Sequence, residues 1–573
     1  KAGTGSRMDN QRLLVWAAFG LMLWFTYQAW MMDYGPKPVA PAAVEAPAAT
    51  DIPDDIDGGL PELADPDPSA PVLEPDAPEE PEARATGSLR VTTDVLELEI
   101  SLQGGTLQKA TLLRYPVAKD RPNQLVELLS RDPSNLGLIQ TGLRTADDGP
   151  EPNHQAIFSA EKDRYVLGDR DELVIPLTWS DGQGVAVHKE LRFTRGSYRI
   201  DVRQVVSNDR GGEWRGADYA QIRRRSHEPE RSMFDVDTYS FDGPVFFNGE
   251  KSEKLDRDDL MSDGPMSQTA ANGWVASIQH HFLSAIEPAA DTEYRYNVSV
   301  KNNVAVASLI GAPVSIPPGG EHAFETTLFV GPKLQDQLEE ISPQLKLTVD
   351  YGWLTILSQP LFWLLSLVHD FVRNWGLSII LVTILIKLAF YKLTEASGRS
   401  MAKMREIQPR MKALQERYKD DRQALSQAMM DLYKREKVNP AAGCLPILIQ
   451  MPFFLAFYWV LLESVEMRQA PFALWITDLS SRDPYFILPL IMGAAMFFQQ
   501  KLNPAPADPV QAKVMQIMPI VFTGFFAFFP SGLVLYWVTN TLLSIAQQWR
   551  INKVVHEEAL ASKGIKKKKK DES

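Results

Sequence analysis

The placing of apolar runs against basic clusters constrains this chain more than any other feature. After residue 350 long apolar stretches recur, at 375–391, 444–465, 484–500, 515–529 and 533–549. An earlier uncharged run, 13–32, is long enough for a hydrocarbon layer of about 30 Å. It closes on Trp24, Phe25, Tyr27 and Trp30, the aromatic belt of a membrane interface. A secretory leader has a shorter apolar core and a small-residue cleavage site, so 13–32 reads as an uncleaved transmembrane anchor with a cytoplasmic N-terminus. Residues 1–12 read as a cloning scar (Lys1 to Arg7, ahead of Met8) and a short cytoplasmic tail.

Charge sets the topology. Residues 395–439 hold 11 Lys and Arg, among them Arg399, Lys403, Arg405, Arg410, Lys412 and Lys434, and belong on the cytoplasmic side. The anchor leaves residue 350 outside, so an odd number of crossings must lie between 350 and 395. Two apolar runs compete there. The first, 351–372, is interrupted by Ser358, Gln359, Pro360, His369 and Asp370 and suits an amphipathic helix at the outer interface. The second, 375–391, then crosses inward. Four further spans within 444–549 bring the basic tail 550–573, with Lys566 to Lys570, back to the cytoplasm. Both termini are expected there.

The mean hydropathy of -0.18 and net charge of -13 conceal this division. Residues 33–86 carry 14 Asp and Glu against Lys37 and Arg84, so this Pro/Ala linker supplies almost the whole net charge. It has too few large apolar residues to bury a core and reads as a disordered spacer. From 87 to 350 the pattern changes to period two. Leu96, Leu98 and Ile100 alternate with Glu97 and Glu99; Ile200 and Val202 with Arg199, Asp201 and Arg203; Tyr294, Tyr296 and Val298 with Arg295, Asn297 and Ser299. These are half-buried strands, and their number predicts an antiparallel β-sandwich on the periplasmic side.

Nothing in that region reads as catalytic. His154, His188, His227, His280, His281 and His322 lack metal-ligand spacing, and there is no phosphate loop or nucleophile elbow. The one cysteine, Cys444, permits no intramolecular disulfide and reads as packing. No catalytic residue, cofactor or metal site is expected, and the chain reads as no enzyme.

Lys387 is the most informative single residue. It lies inside the 375–391 run, where a charge costs on the order of 3 kcal/mol. Two readings stand open. The stem lifts the ammonium to the headgroups, or the ammonium sits in a hydrated cavity. Lys392 already marks the boundary, and Thr383 shares a helix face with Lys387 at i−4. Gln450 between Pro446 and Pro452, Pro519, and the group Tyr536, Trp537, Thr539 and Asn540 add polar or kinking positions to other spans. In 395–440, Met401, Met404, Ile407, Met411 and Leu414 form one apolar stripe and Leu425, Met429 and Leu432 another, predicting a helical hairpin.

The runs SMAKMR (400–405), KVNPAAGCLP (437–446), LIQMP (448–452), RQAPFALW (468–475) and FPSGLVLY (529–536) resemble the bacterial YidC family of membrane-protein insertases. The resemblance covers the membrane half, and the anchor, linker and outer β-domain match the Gram-negative layout. It implies a multidomain inner-membrane protein: a five-span α-helical insertase core, an N-terminal anchor helix and an all-β periplasmic sandwich. It implies a water-filled groove open to cytoplasm and lipid, bearing one basic residue, usually arginine. Matching on YKLT (391–394) puts Lys387 there, with Thr383 and Gln450 in the lining and Tyr536 and Trp537 toward incoming substrate helices. Lysine is a point charge and not a bidentate fork, and Lys392 stands where proline is common. The implied partners are nascent inner-membrane proteins, the SecYEG translocon, membrane lipids and, through Lys566, Lys567, Lys568, Lys569 and Lys570, the ribosome. A polytopic secondary transporter with Lys387 as its binding charge is the alternative; the sequence offers it no internal repeat and no paired intramembrane carboxylates.

Overall fold

The structure is a computed structural model describing residues 87–146, 149–226, 240–418, 421–436, 438, 445–502 and 509–571. The anchor at 13–32 and the linker at 33–86 lie outside these residues, as do Cys444 and most of the 437–446 motif. The chain divides into two compact units. One holds Leu125–Gly331 and the stretch ending at Tyr115; the other holds Pro332 onward together with Pro116–Gln124.

Alternation builds the first unit. Leu96, Leu98 and Ile100 are buried along Leu96–Ser101, Ile200 and Val202 along Arg199–Asn208, and Tyr294, Tyr296 and Val298 along Glu293–Lys301. The strands form sheets of eleven and nine members. The pairing is predominantly antiparallel, and Ser88–Thr92 also pairs in parallel with Arg164–Val166. That three-residue strand covers an edge which would otherwise present unpaired backbone groups. The turn after Leu96–Ser101 needs glycine at 104. Its φ is 68°, and a Cβ there would lie 2.3 Å from the His154 Cα.

One inward position departs from the apolar pattern. Along Val185–Thr194 the buried phase runs Val185, Val187, Lys189, Leu191, Phe193. The Lys189 amine donates to the carbonyls of Gly104 (2.6 Å) and Thr141 (2.8 Å). Thr141 belongs to the eleven-stranded sheet and Lys189 to the nine-stranded one, so this side chain links the two layers. Burial without a carboxylate partner pulls its pKa down to about 7.

The second unit is helical. After the short helix α1 (Arg257–Ser262) of the β unit come α2 (Gln335–Ile341), α3 (Thr355–Val372), α4 (Trp375–Ala389) and α5 (Tyr391–Arg417). These are followed by α6 (Arg422–Arg435), α7 (Leu445–Glu463), α8 (Ile487–Leu502), α9 (Pro509–Phe526) and α10 (Ser531–Asp571). The break between α3 and α4 falls at Arg373 and Asn374. Arg373 takes a left-handed conformation, and the Asn374 side chain caps α4 by accepting from the Leu377 amide at 3.0 Å. α3 packs Ser358, Leu361, Phe362 and Leu365 inward and leaves Ile356, Trp363, Leu367 and Phe371 exposed. By length and apolarity alone α3 would suffice to cross a membrane; the apolar parts of α7, α8 and α9 are shorter, and α4 and α5 meet at a bend of 68°.

α5 and α6 pack against each other along an apolar seam. The seam is Ile407, Met411 and Leu432 with Val438, flanked by Met404, Leu414, Met429 and Tyr433. The RQAPFALW segment is a docking loop within this unit. The Arg468 guanidinium donates to the carbonyls of Pro116 and Val117, both at 3.0 Å, Gln469 donates to Pro116, and Lys119 reaches back to the carbonyls of Gln469 and Thr477. Glu463, at the end of α7, is buried and ion-paired with Lys333 at 3.2 Å.

Two outcomes follow. Between pH 7 and 10.5 the unfolded chain holds a proton on Lys189 that the folded chain has released. The β unit should therefore become more stable as pH rises through that window, by at most about 1.4 kcal/mol per pH unit. Asp218, pushed up to about 6 by burial, acts in a lower window. Thermal melts of the solubilised chain followed on the β-sheet signal should lose the rise above pH 7 in Lys189→Met. Separately, Lys333→Met removes the ammonium that faces the buried Glu463 carboxylate and should cost about 3–5 kcal/mol. Adding Glu463→Gln should recover much of that loss in denaturant titrations.

Candidate functional site

α4 begins at the Asn374 cap and carries Thr383, Ile386 and Lys387 on successive turns of one face. The 68° bend at Phe390 then swings α5 across, bringing Thr394, Ser397 and Met401 to the same side. Facing them, α10 presents Tyr536, Asn540, Ser544 and Gln548. Their spacing of four stacks them in one polar stripe. Gln450 of α7 and Gln499 of α8 complete a cavity measuring about 1100 Å³ with its open mouth included.

Lys387 turns into this cavity, and its ammonium donates to the Ser544 hydroxyl at 2.8 Å. No Asp or Glu occurs among the lining residues, and Lys387 joins no ion pair among the described residues. The Thr383 hydroxyl is buried and donates to the Ile379 carbonyl at 2.6 Å, which leaves its lone pairs as acceptors. Gln450 hydrogen-bonds the Tyr536 hydroxyl. Tyr536 is fixed from behind by Phe457, stacked at 4.4 Å between ring centroids. The arrangement can bind and hydrate a polar segment, and it offers a positive charge to an acidic one.

Four of the five expected residues, Lys387, Thr383, Gln450 and Tyr536, thus share one cavity. Trp537 is not among its lining. One residue on from Tyr536 is a rotation of about 100° around the helix, and Trp537 packs edge-on against Phe454 at 4.7 Å and beside Phe526 at 5.3 Å. Ser544, Gln548 and Gln499 were missed. The four-residue spacing from Tyr536 through Asn540 to Ser544 and Gln548 would have found two of them; Gln499 offered no local signal.

Comparison with known proteins agrees with this architecture. Residues 88–364 match the family model described as YidC periplasmic domain, and 367–558 match that described as 60Kd inner membrane protein. A protein of Nitrosococcus oceani named membrane protein insertase YidC is 46% identical over 563 residues, covering 96% of this chain and all of that relative. Relatives of the same name from Methylococcus capsulatus and Pseudomonas putida are 47% and 44% identical, each over 555 residues, covering 96% and 95% of this chain and 99% and 98% of theirs. A solved structure described as "Active YidC insertase crystal structure with the first transmembrane domain resolved" covers 81% of this chain and 92% of its own. Its identity is 18% and its TM-score 0.37, a superposition too loose to bear on the site. The two family models tile nearly all the described residues, and relatives above 40% identity run the full length. The chain belongs to the YidC family of membrane protein insertases.

Proposed function

We propose that this insertase of the bacterial inner membrane works by lowering a solvation barrier and performs no bond chemistry. Backbone groups of a polar tail crossing hydrocarbon go unsatisfied at several kcal/mol each. A polar cavity inside the helical unit would hydrate such a tail partway and shorten the dry path. Lys387 would draw acidic tails in; the client's apolar segment would then leave sideways into lipid, where burial drives the final step. The observation that carries the reading is a cation turned into a cavity that mixes hydroxyl and amide groups with apolar walls and has no carboxylate in its lining. Energy would come from partitioning and the membrane potential. The transporter alternative finds no support in the relatives compared above, each named as an insertase.

The topology belongs to the same proposal. Six crossings, termini in the cytoplasm, the α5–α6 hairpin in the cytoplasm and α3 at the outer interface satisfy the distribution of Lys and Arg. Nascent membrane proteins are the clients. Cooperation with the SecYEG translocon rests on the family resemblance, and contact of Lys566 to Lys570 with the ribosome or acidic lipid rests on their charge.

Reconstituted Lys387→Ala should insert a small single-span protein with an acidic N-tail several-fold more slowly than the parent, and Lys387→Arg should keep the parental rate. Equal rates for all three, measured by protease protection, would remove the electrostatic role.

A further inference from the structure

A lysine stem is long and flexible, so something must hold the Lys387 ammonium inside the cavity. The neighbour that meets it is Ser544, on α10, 157 residues away in sequence. The Ser544 hydroxyl spends its single proton on the Asn540 carbonyl, at 2.7 Å. Its lone pairs are then its remaining hydrogen-bonding capacity, and the ammonium occupies one of them at 2.8 Å. The hydroxyl is therefore a fixed acceptor aimed across the cavity.

The chemical type of this acceptor matters. An aspartate here would hold the cation more tightly but would neutralise it, and an incoming carboxylate would have to displace it. Serine holds the ammonium without cancelling its charge. Lys387 has three N–H donors; one serves Ser544, and the other two have no protein partner among the described residues.

We infer that Ser544 is a positioning residue for insertion: it keeps the Lys387 charge oriented in the cavity and un-neutralised, and so gives clients with acidic segments an advantage over neutral ones. This rests on reading the cavity as the client path. It adds a specificity determinant on the last helix to a charge on α4, and it gives the α10 stripe a role beyond general hydrophilicity.

The test uses full-length protein in proteoliposomes and two single-span clients differing only in tail residues, two Asp against two Asn. The readout is the ratio of acidic to neutral insertion, which a general loss of folding or of activity does not move. Ser544→Ala should lower that ratio by about tenfold, the order expected for losing a hydrogen bond to a charged group. Ser544→Thr, which restores the hydroxyl, should return it to the parental value. Ser544→Asp should lower it as Ser544→Ala does, because the cation is then neutralised. In a Lys387→Ala background, Ser544→Ala should change the ratio no further. A parental ratio in Ser544→Ala beside a lowered one in Lys387→Ala would overturn the role of Ser544 and leave the groove reading standing. A parental ratio in Lys387→Ala would overturn the groove reading and this inference with it.

Discussion

An ammonium taken out of water must be met by oxygen, and three lysines of this chain meet that demand in three ways. Lys189 uses two backbone carbonyls across the layers of the β unit and lowers its own proton affinity. Lys333 uses the carboxylate of Glu463, with both partners almost wholly buried. Lys387 uses a neutral hydroxyl in a cavity of mixed polar and apolar lining. The choices differ in what they leave behind. Carbonyls bring a titrating group, a carboxylate brings a neutral pair, and a hydroxyl brings a charge that still has reach. Only the last is suited to an encounter with something from outside the fold.

Much of the architecture was legible because it depends on local period. The strands around Leu98, Val202 and Tyr296 bury the phase that alternation assigned to them. The break at Arg373 and Asn374 and the Met-rich seam of the α5–α6 hairpin follow from capping chemistry and from an i, i+3, i+4 stripe. What escaped is non-local or rotational. The burial of Lys189 is set by a neighbouring sheet whose strands are distant in sequence, so its inward phase looked like any exposed lysine within an amphipathic strand. The parallel pairing of Ser88–Thr92 with Arg164–Val166 had no sequence mark.

The candidate site divides in the same way. Lys387 could be found because a charge inside an apolar run needs a reason, and the family resemblance then supplied its companions. Trp537 was drawn in by adjacency to Tyr536, yet on a helix adjacency means divergence and a spacing of four means company. That rule separates Trp537, held among Phe454 and Phe526, from Ser544 and Gln548, which line the cavity. The cavity itself depends on the bend at Phe390, where one continuous polar-faced stretch becomes two walls.

The last helix has a mechanical consequence. α10 runs unbroken from Ser531 to Asp571, about 60 Å, and does not end where its apolar stretch does. Lys566 is thereby carried about 25 Å beyond Trp549 on a rod and not on a loose tether. The end of a tether samples a sphere; the end of a rod stays at one radius and one bearing. That same helix carries Ser544, so a load at its far end would act as a lever on the wall of the cavity.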